Sequence, residues 1–205
     1  MALWVVVPVR SFRDGKRRLA PVLEVAQRTA LVQWLLARTL NQATEFPGVS
    51  RTLVVTACRD VSAWVSNLGI GVVEESGMAG LNSALRQAQQ TVVALGGSRM
   101  LVVSSDLPLL EARDLRHLAD AASEGVLALA PDRTDQGTNA MCLPVSRPFD
   151  FAFGSNSFSR HCERAHVLDL ESVIVRRPGL AFDVDLPVDL LELHAVIPFL
   201  RQHTP

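Results

Sequence analysis

Short runs of β-branched and aliphatic residues alternate along this chain with longer segments whose apolar residues recur at helical spacing. This alternation restricts the fold most, because it is typical of a mixed, mainly parallel sheet flanked by helices. Several runs are apolar at every position, as central strands covered on both faces require. We predict strands over residues 3–9, 52–57, 70–74, 100–104, 126–130, 139–145, 172–176 and 181–184, and helices over residues 23–43, 60–67, 80–95, 111–123, 156–168 and 187–200.

The length and the net charge of the chain exclude several classes of protein. The 205 residues are too few for two full-size domains, so we expect a single domain over residues 1–205. A net charge of −1 gives no general attraction to nucleic acid or to anionic lipid, so neither is an expected partner. No apolar run approaches the roughly 20 residues that cross a bilayer, and the apolar start lacks the charged region of a signal peptide. These features predict a cytoplasmic protein without a membrane partner, and they leave oligomerisation open.

A basic segment follows the first predicted strand. Its glycine, Gly15, lets the backbone approach a ligand, and open α/β sheets bind ligands at the carboxyl ends of their strands. It is not a Walker A loop, because Arg10 stands at the first glycine position and Arg17 stands where a hydroxyl would hold magnesium. The segment is therefore either a triphosphate-binding loop or a solvated basic loop. Its five cations are Arg10, Arg13, Lys16, Arg17 and Arg18, and Lys16 is the only lysine of the chain.

Three aspartates are candidate metal ligands. Asp106 ends an apolar strand, where it either projects into the ligand crevice or caps a turn. Asp183 and Asp185 are two residues apart, so an extended chain would present both carboxylates on one side. Their mutual repulsion would be relieved by magnesium, which a few carboxylates and substrate phosphates commonly hold. The alternative is that Asp185 caps the following helix and Asp183 is simply exposed.

Two segments rich in glycine and hydroxyl side chains are candidate anion cradles. Residues 132–139 precede a predicted strand, and residues 153–158 precede a helix whose free N–H groups would attract an anion. Each could equally be an ordinary turn and helix cap. Close to the second segment, His161 and His166 are five residues apart, a spacing that does not place both rings on one helical face and so does not favour a metal site.

Taken in order, these pieces resemble the 2-phospho-L-lactate guanylyltransferases, which make the GDP-linked precursor of the deazaflavin coenzyme F-420. The resemblance covers nearly the whole chain, and the shared order of the motifs is more specific than any one of them. The matching motifs are Pro8-Val-Arg10-Ser-Phe, Gly15-Lys16-Arg17-Arg18-Leu-Ala-Pro21, Gly80-Leu-Asn82-Ser-Ala-Leu85, Asp106-Leu-Pro-Leu109, Pro131-Asp-Arg133, Gly137-Thr138-Asn139-Ala140, Phe153-Gly154 through Ser157-Phe158 with His161, and Gly179-Leu-Ala-Phe-Asp183-Val-Asp185-Leu-Pro187-Val-Asp-Leu190.

The resemblance implies a fold like that of the nucleotide-diphospho-sugar transferases, which is Rossmann-like, and a role for each motif. It implies that Lys16 and Asp106 act in catalysis, that Arg10, Lys16, Arg18 and Asn82 bind GTP, that Thr138, Gly154 and Ser157 bind the phosphorylated acid, and that Asp106, Asp183 and Asp185 hold Mg²⁺. The chain departs from the family where Arg10 replaces a usual lysine and where Gly15-Lys16-Arg17-Arg18 replaces Ala-Lys-Ser-Arg. Guanidinium at position 10 keeps the charge but changes the geometry.

The implied partners are GTP and a small phosphorylated carboxylic acid: 2-phospholactate, phosphoenolpyruvate or 3-phosphoglycerate. A pocket's shape distinguishes acids that differ by a few atoms, so the motifs leave the choice among them open. Two other functions stay open as well. One is a nucleotidyltransferase with a pterin or sugar-phosphate acceptor, and the other is a non-catalytic nucleotide-binding domain.

Overall fold

The computed structural model of the protein describes residues 2–75 and 80–196. Seven strands form one sheet in the order β3-β2-β1-β4-β6-β5-β7. The strands are β1 (Leu3–Pro8), β2 (Thr52–Thr56), β3 (Gly71–Glu74), β4 (Arg99–Val103), β5 (Val126–Pro131), β6 (Thr138–Pro144) and β7 (Glu171–Ile174). The helices are α1 (Val25–Ala43), α2 (Arg59–Ser66), α3 (Leu81–Ala94), α4 (Ala112–Asp120), α5 (Ser157–Val167), α6 (Pro178–Ala181) and α7 (Pro187–Val196), with short helical turns at Arg17–Leu19, Thr44–Gly48 and Val49–Arg51.

The sheet is mixed and mainly parallel, which confirms the predicted fold class. Only β6 runs against its neighbours, and it pairs with β4 and β5. The other pairings, β1 with β2 and β4, β2 with β3 and β5 with β7, are parallel. The carboxyl ends of β1 and β4 therefore meet the start of β6 at one edge of the sheet, with Val103 opposite Ala140.

The core has two layers because the strands bury both faces. In β1, Val5 and Val7 pack with α1, α2 and α4, whereas Val6 packs with α3 and α5 on the opposite face. A third apolar cluster joins Leu19 and Leu23 to Phe182, Val184 and α7. In this cluster the segment around Val184 packs against the basic segment after β1, which brings Asp183 and Asp185 close to Lys16.

The last predicted strand, 181–184, is wrong. Pro178 begins the short helix α6, and the chain after it has no ladder partner in the described sheet. The amide of Val184 instead donates to the carbonyl of Asp106 at 3.2 Å. The predicted helix over 187–200 is observed to Val196, and its residues 197–200 lie outside the described residues. Within the described ranges, no helix is both long and apolar enough to span a membrane.

Candidate active site

Lys16 lies at the centre of a charged cluster beyond the carboxyl end of β1. Its backbone is left-handed, with φ 52° and ψ 40°, and it precedes the helical turn Arg17–Leu19. The side chain is only 10% exposed, and its Nζ lies 2.5 Å from Oδ2 of Asp106 and 3.7 Å from Oδ1 of Asp185. Burial lowers the pKa of Lys16, but Asp106 and, more weakly, Asp185 and Asp183 outweigh burial and hold that pKa above its ordinary value. The ammonium is therefore firmly charged.

Asp106 follows β4 and is held on both sides. Its Oδ1 accepts a hydrogen bond from Ser104 Oγ at 2.6 Å, while Oδ2 accepts from Lys16. Burial raises the pKa of Asp106, yet Lys16 and the hydroxyl of Ser104 overcome this effect and bring the pKa below its usual value. This carboxylate is ionised at neutral pH.

Asp183 and Asp185 also lie within electrostatic reach of Lys16. Burial and the charge of Asp106 raise the pKa of Asp183, and a hydrogen bond from Asn139 Nδ2 at 3.3 Å and the charge of Lys16 only partly offset them. Asp185 accepts a hydrogen bond from Arg18 at 2.7 Å. The three aspartates thus share the field of one ammonium. Asp183 is the least well compensated of them.

The acidic segment that carries Asp183 and Asp185 is held by contacts on both sides. Arg177 Nε donates to the buried carboxylate of Asp114 at 2.9 Å. Gly179 lies so close to α4 that a Cβ there would come within 2.1 Å of Asp114 Oδ2. On the other side, Asp189 Oδ2 accepts from the amides of Asp185 and Leu186, so Asp189, not Asp185, provides the hydrogen bonds at the start of α7.

The predicted acid-binding residues Thr138 and Ser157 lie in a second, neutral cluster. The amide of Thr138 donates to Ser157 Oγ at 2.8 Å, and Thr138 Oγ1 lies 2.9 Å from Nδ1 of His161. The amide of Ala152 donates to the other ring nitrogen, Nε2, at 3.0 Å. Burial lowers the pKa of His161 to about 4, so the ring is neutral at physiological pH.

Asn82 and Gly154 adjoin this neutral cluster. Asn82 makes paired hydrogen bonds with the backbone of Phe153, accepting from its amide at 2.8 Å and donating to its carbonyl at 3.2 Å. These bonds fix the start of α3 beside Gly154, whose φ of +119° suits glycine. A Cβ at Gly154 would meet no atom within 4 Å, so the backbone there faces open space.

The two clusters are joined at the edge of the sheet. Thr138 and Asn139 are consecutive at the start of β6, and Asn139 donates to Asp183 and to the carbonyl of Ala181. The carbonyl of Asn139 accepts from the amide of Ser104 at 2.8 Å, two residues before Asp106. The structure therefore connects the charged and neutral clusters through a single dipeptide.

The remaining cations of the basic loop are less involved. Arg10 and Arg13 are exposed, and Arg17 pairs with Asp14 in an exposed contact. Arg18 is 71% exposed apart from its contact with Asp185. Lys16 is therefore the one cation of the five that is largely buried against carboxylates.

Three polar residues of the site have no role that the sequence predicts. Ser104, Asn139 and His161 hold Asp106, Asp183 and Thr138 respectively. Ser104 and Asp106 are two residues apart, so their contact is local and is the one that the sequence could have indicated. The contacts of Asn139 and His161 join residues 44 and 23 positions apart, so only the folded chain brings them together.

The charged cluster can neutralise a polyphosphate or exchange its ammonium contact for a metal. Its donor atoms are carboxylate oxygens, which suit Mg²⁺. Within residues 2–75 and 80–196, however, no group of three or more His, Cys, Asp or Glu side chains is arranged to hold a metal ion. The ammonium of Lys16 lies among the carboxylates instead. The carboxylate oxygens are thus chemically suited to Mg²⁺, but in this arrangement they bind the lysine.

Comparison with solved structures identifies the same fold. A structure from Desulfovibrio desulfuricans G20 named as a nucleotide-diphospho-sugar transferase has a TM-score of 0.79 at 14% identity, and the match covers 96% of this chain and 88% of that one. A CMP:2-keto-3-deoxy-manno-octonic acid synthetase in complex with CTP has a TM-score of 0.61 at 13% identity, with coverage of 97% and 99%. At these identities the likeness concerns the fold alone.

Sequence comparison identifies the family. A phosphoenolpyruvate guanylyltransferase of Chloroflexus aggregans is 35% identical over 185 residues, covering 88% of this chain and 91% of that protein. A 2-phospho-L-lactate guanylyltransferase of Methanothermobacter thermautotrophicus is 32% identical over 193 residues, covering 94% and 84%. The family model described as "Guanylyl transferase CofC like" matches residues 3–196. With its transferase fold and relatives of this kind over most of its length, the chain belongs to the CofC-like guanylyl transferase family.

Proposed function

We propose that the enzyme transfers GMP from GTP to a small phosphorylated carboxylic acid and releases pyrophosphate, as a step of coenzyme F-420 biosynthesis. The observation that carries this proposal is the buried ammonium of Lys16, held between Asp106 and Asp185 beyond the carboxyl end of β1. Phosphoenolpyruvate is the first acceptor to test, because it gives the name of the Chloroflexus aggregans relative. 2-Phospholactate and 3-phosphoglycerate follow.

The proposed reaction needs no general base. A phosphate monoester has its second pKa near about 6, so at neutral pH it is mostly a dianion and already a competent nucleophile. One of its oxygens forms a bond to the α-phosphorus of GTP while the bond to the β-phosphate oxygen breaks, and the electron pair leaves with pyrophosphate. The only buried histidine among the described residues, His161, has both ring nitrogens engaged and is not required as a base.

The enzyme must align two anions that repel each other and neutralise the charge that accumulates on pyrophosphate. In this proposal Lys16, Arg18 and Arg10 supply positive charge to the triphosphate, and Asn82 lies at the nucleotide. Thr138, Ser157 and the backbone of Gly154 bind the acid. Lys16 and Asp106 are the proposed catalytic residues, Lys16 because its ammonium would contact the phosphates and Asp106 because it holds that ammonium in place.

We further propose that Asp106, Asp183 and Asp185 hold Mg²⁺ when the enzyme works. Burial and the charge of Asp106 raise the pKa of Asp183 above its usual value, so this carboxylate is short of a positive partner. Bound there, the ion would neutralise charge on the phosphates. Its binding to Asp106 would compete with the ammonium of Lys16 for Oδ2. The cytoplasmic location and the single domain over residues 1–205 remain predictions.

The decisive experiment incubates the protein with GTP, MgCl₂ and each acid separately, and measures pyrophosphate. We expect release with at least one of the three acids and none without acid. Replacing GTP by ATP or CTP tests the specificity for guanine, and omitting Mg²⁺ tests whether the reaction requires the ion. Pyrophosphate formed only with a pterin or sugar phosphate would replace the proposed acceptor. GTP binding that survives Asp183→Asn with no pyrophosphate under any condition would indicate a non-catalytic domain.

A further inference from the structure

The ring of His161 is buried, and the folded backbone determines which of its nitrogens carries the hydrogen. The amide of Ala152 donates to Nε2 at 3.0 Å. An amide N–H is only a donor, so Nε2 must be the unprotonated nitrogen. A neutral imidazole then carries its hydrogen on Nδ1 and donates it to Thr138 Oγ1, 2.9 Å away.

The side chain of Ser157 also accepts a hydrogen bond from the backbone. Its Oγ accepts the amide hydrogen of Thr138 at 2.8 Å. Both hydroxyl oxygens, in Thr138 and in Ser157, therefore serve as acceptors inside the protein, and each keeps one O–H hydrogen to donate. In the part of the chain that the structure describes, neither hydroxyl hydrogen has an acceptor. A buried donor of this kind is costly unless a ligand accepts from it.

We propose that His161 is a positioning residue that fixes the hydroxyl of Thr138 as a donor, so that Thr138 and Ser157 together recognise a group that only accepts hydrogen bonds. This inference rests on the proposed function and refines its acceptor half. A phosphate dianion or a carboxylate satisfies two fixed donors, whereas a neutral hydroxyl or amide group brings a donor of its own. The phosphorylated acid carries both kinds of suitable anion.

Two substitutions separate the two hydrogen bonds of the ring. His161→Gln places its amide oxygen near the Nε2 position, which keeps an acceptor for Ala152 but removes the donor to Thr138. His161→Asn places its amide nitrogen near Nδ1, which keeps the donor to Thr138 but removes the acceptor. We expect His161→Gln to raise KM for phosphoenolpyruvate about tenfold, with KM for GTP changed less than about twofold, and His161→Asn to raise it less. A KM for phosphoenolpyruvate unchanged in His161→Gln would overturn the positioning role.

A double-mutant cycle distinguishes positioning from general support of the fold. Thr138→Val removes the hydroxyl that His161 is proposed to orient. If His161 acts through that hydroxyl, the double variant has the KM of Thr138→Val alone; if the two effects multiply, the proposal is wrong. Thr138→Ser, which restores a hydroxyl, is expected to recover most of the affinity. His166→Gln, the same change at an exposed position of α5, is the matched control and leaves both KM values unchanged.

Equilibrium binding keeps this test separate from the test of catalysis. Binding of phosphoenolpyruvate to the full chain is measured by calorimetry with MgCl₂ for each variant. If the wild type binds the acid and His161→Gln weakens binding about tenfold, the positioning role stands even if no pyrophosphate is formed. If the wild type forms pyrophosphate and both assays give His161→Gln wild-type affinity, the positioning role fails alone. Should the His161 variants not fold, the comparison of Thr138→Val with Thr138→Ser tests the donor hydroxyl, and equal affinity of the two would overturn the proposal.

Discussion

The two halves of the candidate site are built from opposite kinds of interaction. Around Lys16, charged groups meet at a partly open surface, with Asp185 38% exposed and Arg18 71% exposed. Around His161, neutral groups are linked by hydrogen bonds in an interior where Thr138 is 6%, Ser157 2% and His161 0% exposed. The exposed contact of Arg18 with Asp185 can exchange partners at low cost, whereas the buried hydrogen bonds around His161 hold geometry.

This difference matches what a group-transfer enzyme requires of its two substrates. A triphosphate and a divalent ion bring large charges that must replace ion pairs within the protein. The groups that bind them must therefore be paired with each other before binding and able to change partners. A small acid is recognised by a few hydrogen bonds whose direction must be set in advance.

Removing Asp106 should have the largest effect, because it takes away the main partner of the buried ammonium. Asp106→Ala is expected to lower the rate of pyrophosphate release about a thousandfold or more, by analogy with the loss of other charge-stabilising groups. It also leaves the largely buried Lys16 with only the weaker contact to Asp185 at 3.7 Å, which costs about 3 kcal/mol of folding stability. Steady-state kinetics and urea denaturation measure the two effects separately.

The control for this variant is Asp120→Ala, at an exposed aspartate near the end of α4. We expect it to retain wild-type kinetics and stability. Wild-type turnover in Asp106→Ala would remove Asp106 from the catalytic machinery and with it the proposed role of the charged cluster.

Lys16→Met tests whether the ammonium and a divalent ion compete for the same carboxylates. We expect turnover to fall about a hundredfold or more, because charge on the phosphates is no longer neutralised. At the same time the thermal midpoint should rise more steeply with MgCl₂ than in the wild type, since the ion replaces the lost cation. Arg17→Met, at an exposed residue of the same loop, is the control. A midpoint of Lys16→Met that is insensitive to MgCl₂ would argue against a metal at Asp106.

The buried neutral ring of His161 makes the free energy of unfolding depend on pH. The pKa of His161 is about 4 in the folded protein and about 6.5 when unfolded, so the unfolded chain binds more protons between these values. The stability that the neutral His161 ring contributes is complete above pH 6.5 and is lost as the pH falls toward 4. About 2 kcal/mol of it is lost between pH 7 and pH 5. Urea denaturation of the wild type and of His161→Gln at the two pH values isolates this contribution. An equal loss in both proteins would contradict the buried neutral ring.

The sequence predicts the frame of the site better than its details, and the reasons are physical. Strands such as β1 and β4 are apolar on both faces, a pattern that burial in a central sheet imposes. The segment 181–184 has the alternation of an edge strand, but Pro178 and the close approach of Gly179 to Asp114 commit the chain to a helical turn instead. The charged residues stand at strand ends and are visible in the sequence. The pairing of His161 with Thr138 and Ala152 depends on how α5 packs against the sheet, which no local pattern encodes.

The smallest predicted effect compares the ion pairs of two neighbouring arginines that differ in burial, a single Nε contact for Arg177 and a bidentate contact for Arg176. Arg177 pairs with Asp114, which is 5% exposed, and so anchors the segment leading to Asp183; Arg176 pairs with Asp135, which is 47% exposed. Arg177→Gln is expected to cost about 2 kcal/mol of stability, because it leaves a buried carboxylate without its cation. Arg176→Gln should cost much less, because solvent screens its exposed ion pair. If Asp183 and Asp185 hold Mg²⁺, only Arg177→Gln should also raise the MgCl₂ concentration needed for half-maximal pyrophosphate release. Equal costs for the two variants would mean that depth of burial does not govern this contact, and an unchanged MgCl₂ requirement would mean that the anchor does not position the acidic segment.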